Sequence, residues 1–330
     1  MKFATLANGT LDGRLVVVSK NLSKAVDASA ISPNLLSAVQ NWQEKEAELQ
    51  ALYDALNAGQ LKEAFDFDPS VCLAPLPRSP QWLDASAFLN HGKLMEEAFN
   101  TDPIADFDTI PVMYQGASDD FQGPTVDIAM PSEADGIDFE GEFGVVMAEV
   151  PMSATPEEAA KSIRLIVQIN DWSLRALGPR EMNSGFGFLQ AKPSSSFAPV
   201  AVTPDELGDA WANGRVNMPL HVSWNGERFG EPHGSEMNFS FPQLMAHAAR
   251  SRKLTAGCII GSGTVSNSAR EAGSACISER RVIEKIDLGD IKTQFMRFGD
   301  TVRMQAKFDD GRDGPFGVIE QTVVENQRKG

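Results

Sequence analysis

Between residues 66 and 83 the chain runs through Asp68-Pro69-Ser70 and then Leu73-Ala74-Pro75-Leu76-Pro77-Arg78-Ser79-Pro80. Each proline lacks an N–H and fixes φ, so this stretch can be neither a helix interior nor a central strand. It reads as a junction, dividing a small N-terminal domain, 1–78, from a large domain, 79–330. Before it, Phe3 to Leu6, the Asn8-Gly9 turn signal and the valine run from Leu15 to Ser19 predict a β-meander within the first 30 residues. Ser32-Pro33 fits an N-cap and first-turn proline, and Leu36, Val39, Trp42, Leu49, Leu52, Tyr53 and Leu56 recur at helical spacing until Gly59. That helix is expected to serve packing alone.

Beyond the junction, short apolar runs alternate with Gly, Pro, Asn and Asp turns: 111–114, 126–130, 137–150, 163–169, 197–203, 216–224, 258–265, 275–286, 301–308 and 315–324. Helical patterning is confined to 155–163 and 241–251. The expectation is a mostly β protein with some α, an α+β fold, and no internal repeat.

The net charge of -16 and pI near 4.7 oppose a nucleic-acid or anionic-membrane partner, because both need Lys and Arg to meet phosphates. Cys72, Cys258 and Cys276 show no CxxC spacing, so neither a disulfide framework nor a zinc knuckle is indicated, and a reducing cytoplasm is expected. The N-terminus has no uninterrupted apolar core of a signal peptide, and no apolar stretch approaches a membrane span, so a soluble protein is expected.

The densest chemistry lies in Asp138-Phe139-Glu140-Gly141-Glu142-Phe143-Gly144-Val145-Val146-Met147. Strand alternation puts Asp138, Glu140 and Glu142 on one face and Ile137, Phe139, Phe143 and Val145 on the other. Such an acidic face is either solvated decoration or half of a site for a hard cation, since close carboxylates repel unless water or a cation intervenes. Asp171 ends an apolar run, and Asp84 follows the junction with His91 seven residues later. Asp84 would otherwise cap a helix, and His91 would otherwise be a helix-surface or satisfied buried imidazole. With Asp84, Glu140, Glu142 and Asp171 together, an oxygen-rich set suits Mg²⁺, Mn²⁺ or Ca²⁺ better than zinc. Gly261-Ser262-Gly263 has neither a Walker lysine nor a dinucleotide fingerprint beside it, so a tight turn is expected there rather than a nucleotide loop.

These pieces resemble the fumarylacetoacetate hydrolase superfamily, in its bacterial fumarylacetoacetase-like branch. The likeness covers most of the chain after the junction: Asp84 with His91, the Asp138–Glu142 strand, Asn170-Asp171-Trp172-Ser173 with Arg175, Lys192 after Gly-Phe-Gly-Phe, and Gly261 to Asn267. It implies a mixed β-sandwich or β-roll catalytic domain with a small N-terminal α/β domain. It also implies a divalent metal, Mg²⁺ first, on Asp84, Glu140, Glu142 and Asp171. By the same resemblance, His91 is the general base, Lys192 and Arg175 are catalytic cations, and Tyr114, Ser86 and Thr264 contact substrate. The activity implied is cleavage of a carbon–carbon bond in a 2,4-diketo acid such as fumarylacetoacetate or an acylpyruvate, within aromatic amino-acid degradation, by a cytoplasmic homodimer. A decarboxylase or isomerase of a 2-oxo acid, or a non-catalytic binding homologue, is the alternative. The chemistry suits the residue types, since histidine titrates near neutrality and cations complement a developing oxyanion.

Three positions depart from the family pattern. An arginine and a glutamine of fumarylacetoacetases fall on Asn100 and Gly178, and Ser86 stands where a tyrosine contacts substrate. The glutamate that orients the histidine is sought near Glu279, expected in a C-terminal strand.

Overall fold

The computed structural model describes residues 1–99 and 104–327, so Asn100 lies outside the described residues. The chain opens with β1 (Lys2–Leu6), β2 (Arg14–Val18) and β3 (Lys24–Asp27), followed by α1 (Leu35–Gln40), α2 (Trp42–Asn57) and β4 (Phe65–Asp66). After the prolines come β5 (Trp82–Ala85), α3 (Leu89–Phe99), β6 (Met113–Gly116), β7 (Ile128–Met130), β8 (Ile137–Asp138) and β9 (Gly141–Met147). Then follow α4 (Pro156–Ala160), β10 (Ile163–Asn170), β11 (Ser173–Leu174), α5 (Gly178–Ser184), β12 (Ser196–Phe197) and β13 (Ala201–Val202). The last third holds β14 (Trp211–Ala212), β15 (Arg215–Val216), β16 (Leu220–Trp224), β17 (Glu227–Gly230), α6 (Phe241–Ala248), β18 (Ile259–Gly261), α7 (Ile277–Leu288), β19 (Thr301–Ala306) and β20 (Ile319–Glu325).

A large mixed sheet runs β4-β3-β2-β1-β13-β10-β9-β18-β5-β6, with β12 also on β10, and a second sheet runs β17-β16-β19-β20-β7. The middle strands of the large sheet are apolar on both sides because both faces are covered. Phe143, Val145 and Met147 of β9 join Leu220, Val302, Met304 and Ile319 in a core between the two sheets. Val146, with Leu165, Val167 and Ile169 of β10, faces the opposite core, roofed by Leu35, Trp42, Leu49 and Tyr53 of α1 and α2. The buried carboxamide of Gln168 links the sheets: it donates to the Met304 carbonyl at 3.1 Å and accepts from the Ala306 N–H at 2.7 Å.

Three sequence expectations change. The single helix expected after Ser32-Pro33 is two helices meeting at Asn41, and the first is capped by Asn34, whose side chain accepts from the Ser37 N–H. The carboxamide two residues further on satisfies the free N–H groups in place of Ser32. The 275–286 run, grouped with the strands, is helix α7. Asp138 accepts from the N–H groups of Ile277 and Ser278 at 2.7 and 2.9 Å, and a buried carboxylate at the positive end of the helix decides the local structure. Finally, helices beyond the junction are not confined to 155–163 and 241–251, since α3 and α5 form as well. Lys2 pairs with Val202 and Phe3 with Ala201, so the N-terminal strands extend the sheet that carries β9 and β10.

Candidate active site and metal centre

Five neighbouring strands bring distant residues into register. Gly261 pairs with Asp84 on one side and with Gly144 on the other, Asp84 pairs with Tyr114, and Glu142 lies opposite Ile169, two residues before Asp171. Asp84 therefore belongs to a strand and not to a helix cap. One carboxylate oxygen from each of Asp84, Glu142 and Asp171 falls within 4.8 Å of the others, and all three residues are buried.

Gly261 makes this approach feasible. A Cβ there would stand 2.5 Å from Asp84 Oδ1 and 2.9 Å from Glu142 Oε2. Gly261→Ala is therefore expected to push the two carboxylates apart and lower metal affinity by at least about tenfold, about 1.4 kcal/mol, in a calorimetric titration; unaltered affinity would show that Gly261 is not needed for the approach.

Asp171 is held on both oxygens. Ser195 Oγ donates to Oδ1 at 2.6 Å, while Oδ2 receives the Tyr114 hydroxyl at 2.5 Å and Lys192 Nζ at 2.6 Å. Asp84 Oδ1 accepts from the Gly263 N–H at 3.1 Å, where Gly263 adopts φ 75°. Neither oxygen of Glu142 has a hydrogen-bond partner. Two buried oxygens facing other carboxylates with no donor are costly unless a proton or cation joins them. An all-oxygen set suits Mg²⁺, Mn²⁺ or Ca²⁺.

Without a cation Asp84 and Glu142 hold their protons more tightly than ordinary carboxyls. Burial, reinforced by Asp171, pushes the Asp84 carboxyl up to about 8, and burial together with Asp84 pushes Glu142 well above the usual range. The sign for stability follows. An acid whose folded pKa is raised contributes stability below its unfolded value, and that contribution is lost as pH climbs toward the folded value. The metal-free protein should therefore lose melting temperature between about pH 5 and pH 8, while the increment given by Mg²⁺ grows over the same range as fewer protons compete. Thermal denaturation in chelator and in Mg²⁺ measures both; a metal-free melting temperature that climbs steadily with pH would contradict the assignment.

Glu140, the fourth carboxylate of the expected set, stands outside the triad and is occupied by donors. Its Oε1 accepts from Lys192 Nζ at 2.8 Å and from Ser173 Oγ at 2.6 Å, and its Oε2 accepts from the Thr264 hydroxyl. Arg175 Nη2 lies 2.8 Å from Oε1 as an ion pair without hydrogen-bond alignment. Although burial opposes ionisation most strongly, Arg175 and Lys192 hold Glu140 well below its ordinary value, and Asp171 and Glu140 in turn raise Lys192 against the effect of its own burial.

Asp138, on the acidic face with Glu140 and Glu142, is fully buried, accepts Arg175 Nε at 2.8 Å and caps α7, tying Arg175 to that helix. The same helix carries Glu279, expected in a strand. Glu279 Oε1 lies 3.7 Å from His91 Nδ1, which has no hydrogen-bond partner, and it accepts from the Ser266 hydroxyl.

These groups surround a cavity of about 210 Å³ lined by Asp84, Ser86, His91, Tyr114, Glu140, Arg175, Lys192 and Thr264, with the ligand oxygens at its floor. Eight of the ten residues singled out in the sequence line it, and the other two, Glu142 and Asp171, complete the triad beneath. In this structure the Tyr114 and Thr264 hydroxyls are engaged with Asp171 and Glu140. Gly178 opens α5, and three N–H groups after that helix, those of Leu189, Gln190 and Ala191, donate to the Glu181 carboxylate and steady the approach to Lys192. Sequence reading missed Glu181 and Ser195, since isolated Ser and Glu residues carry no periodic or spacing signal.

Residues 81–324 match the family described as fumarylacetoacetate (FAA) hydrolase C-terminal, and residues 1–78 match fumarylacetoacetase N-terminal domain 2. The chain belongs to the fumarylacetoacetate hydrolase family. A curated relative, 2,4-didehydro-3-deoxy-L-rhamnonate hydrolase of Sphingomonas sp. (strain SKA58), is 28% identical over 159 residues, 47% of this chain. That match spans about half, 53%, of the relative's own length. Among solved structures, this member of the family shares its fold with maleylpyruvate hydrolase from Sphingobium sp. SYK-6 in complex with manganese(II) ion and pyruvate, at TM-score 0.66 and 15% identity over 99% of this chain and all of the other. It likewise matches fumarylacetoacetate hydrolase from psychrophilic Exiguobacterium antarcticum, at TM-score 0.66 and 18% identity with the same coverage. The buried acidic triad could hold a divalent metal, and no helix among the described residues is long and apolar enough to cross a membrane.

Proposed function

We propose that this family member is a metal-dependent hydrolase that cleaves a carbon–carbon bond in a 2,4-dioxo acid. The observation that carries the reading is the convergence on one cavity of a buried imidazole facing a carboxylate, two buried cations and the Asp84–Glu142–Asp171 triad. A divalent cation held by that triad, Mg²⁺ first with Mn²⁺ or Ca²⁺ as alternatives, would supply Lewis-acid stabilisation of enolate charge.

The chain's own groups account for the rest. His91 takes a proton from water. The water oxygen bonds to the distal keto carbon, the bond from that carbon to the methylene breaks, and the electron pair passes to the methylene as an enolate. The proton held on His91 returns to the methylene carbon, leaving a carboxylic acid and an oxo acid, a 2-oxo acid from an acylpyruvate and a 3-oxo acid from fumarylacetoacetate. Lys192 and Arg175, fixed by Glu140, Asp171 and Asp138, complement the negative charge. Ser86, Tyr114 and Thr264 are assigned to substrate contact. In this reading residues 1–78 and 79–330 are the two domains of a cytoplasmic homodimer, and aromatic amino-acid catabolism supplies the substrate.

The test incubates Mg²⁺-loaded protein with fumarylacetoacetate, an acylpyruvate and oxaloacetate. Loss of the diketone absorbance with release of the matching product, pyruvate from the acylpyruvate or acetoacetate from fumarylacetoacetate, would support the reading. Release of CO₂ from oxaloacetate without diketone cleavage would favour the decarboxylase reading, and no turnover of any of the three would favour a binding protein.

A further inference from the structure

We propose that the substrate bears an uncharged, apolar tail beyond its 2-oxo acid head, and that the cavity wall built by Met95, Ile104, Phe107 and Val112 rejects tails ending in a carboxylate. The inference rests on the dioxo-acid reading of the site but concerns a different region of the cavity. Those four residues line the cavity together with Met182 and Phe188. From Met95 through Met113 the sequence contains no Lys, Arg or His, while Glu96, Glu97, Asp102, Asp106 and Asp108 are all acidic, and Glu96 itself lines the cavity.

The basic groups that line the cavity are already committed near its floor. Lys192 is shared by Glu140 and Asp171, Arg175 by Asp138 and Glu140, and His91 faces Glu279. A second carboxylate at the far end of a substrate would surrender its hydration to an apolar wall beside Glu96 and find no counter-charge. Arg281, Lys285 and Arg297 line a separate cavity that this one meets only at Arg175.

The wall is anchored to the catalytic helix. A Cβ at Gly92 would lie 2.0 Å from Phe107 Cζ, so the ring of Phe107 sits directly on the α3 backbone one residue from His91. Any side chain at position 92 would displace the ring, and with it the boundary of the tail pocket. The volume of about 210 Å³ falls below the ~300–1,000 Å³ of sites for drug-sized ligands, which suits a short tail.

Binding, read apart from turnover, decides the matter. 2-Oxohexanoate and 2-oxoadipate have the same carbon count, differ in a terminal methyl against a carboxylate, and lack the 4-keto group needed for cleavage. Calorimetry on the Mg²⁺-loaded full chain should show 2-oxohexanoate binding at least about tenfold more tightly. Met95→Arg, which introduces a cation into the wall, should shift that ratio by at least about tenfold toward 2-oxoadipate, while Met95→Leu keeps the parent preference. Equal or tighter binding of 2-oxoadipate by the parent, or no binding of either acid, would overturn the proposal. Cleavage of dioxo acids together with a 2-oxoadipate preference sinks this inference and leaves the hydrolase reading standing. The predicted binding preference without cleavage of any dioxo acid does the reverse.

Discussion

Glu142→Gln abolishes the Mg²⁺-dependent rise in melting temperature and, in the absence of metal near pH 8, makes the protein more stable than the parent. The two effects have opposite signs because they come from one fact: both Glu142 oxygens are buried, without a donor, against Asp84. With a divalent cation at about a hundred times its dissociation constant, binding contributes roughly 2.7 kcal/mol to stability, and removing a ligand forfeits most of it. Without metal, the isosteric amide offers Asp84 an N–H donor where a second carboxylate stood, which relieves like-charge repulsion and desolvation. A single pair of thermal scans, in chelator and in Mg²⁺, reads both signs. Should the variant keep the full Mg²⁺ increment, the triad is not the metal site.

His91→Ala lowers kcat by about 10²- to 10⁴-fold, roughly 3 to 5 kcal/mol of transition-state stabilisation, the range expected for loss of a positioned general base. The Mg²⁺ increment in melting temperature stays at the parent value, since His91 lines the cavity but contributes no atom to the triad. That separation makes the experiment specific. Loss of both activity and metal binding would mean that the imidazole supports the metal site itself, and undiminished kcat would remove His91 from the mechanism.

Much of the site could be read before the fold was known, because the chemistry needs particular residue types at a few spacings. Glu140-Gly141-Glu142, Asn170-Asp171, Asp84 with His91, and Lys192 with Arg175 are distinctive in combination, and the structure gathers all of them at one cavity. Alternation along 138–142 placed three carboxylates on one face but could not tell water from protein beyond them. That depended on β18 and β5 lying alongside β9, which buries Glu142 completely. It also depended on Arg175 and the start of α7 meeting Asp138, contacts between residues 37 and 139 positions apart in the chain.

Local sequence was misleading where a tertiary partner supplied the missing term. The 275–286 run has enough apolar residues for a strand, yet the Asp138 carboxylate satisfies its first N–H groups and a helix forms, carrying Glu279 to His91. The prolines at 75, 77 and 80 forbid a central strand there, as expected, but they do not prevent β1 from pairing with β13, because hydrogen bonds between strands ignore what links them in sequence.

Sequence alone therefore determined the class of chemistry, an oxygen-rich cation site with a histidine and two basic residues, since these depend on side-chain identity. Only the tertiary structure decided which of these groups meet. Three carboxylates converge with no donor between them and Asp84, Glu142 and Asp171 form the triad, while Glu140, already compensated by Lys192 and Arg175, anchors the cations. The reason is physical: whether a buried carboxylate is a ligand or one half of an ion pair depends on which charges lie within a few ångströms, and strand register, not sequence spacing, fixes those distances.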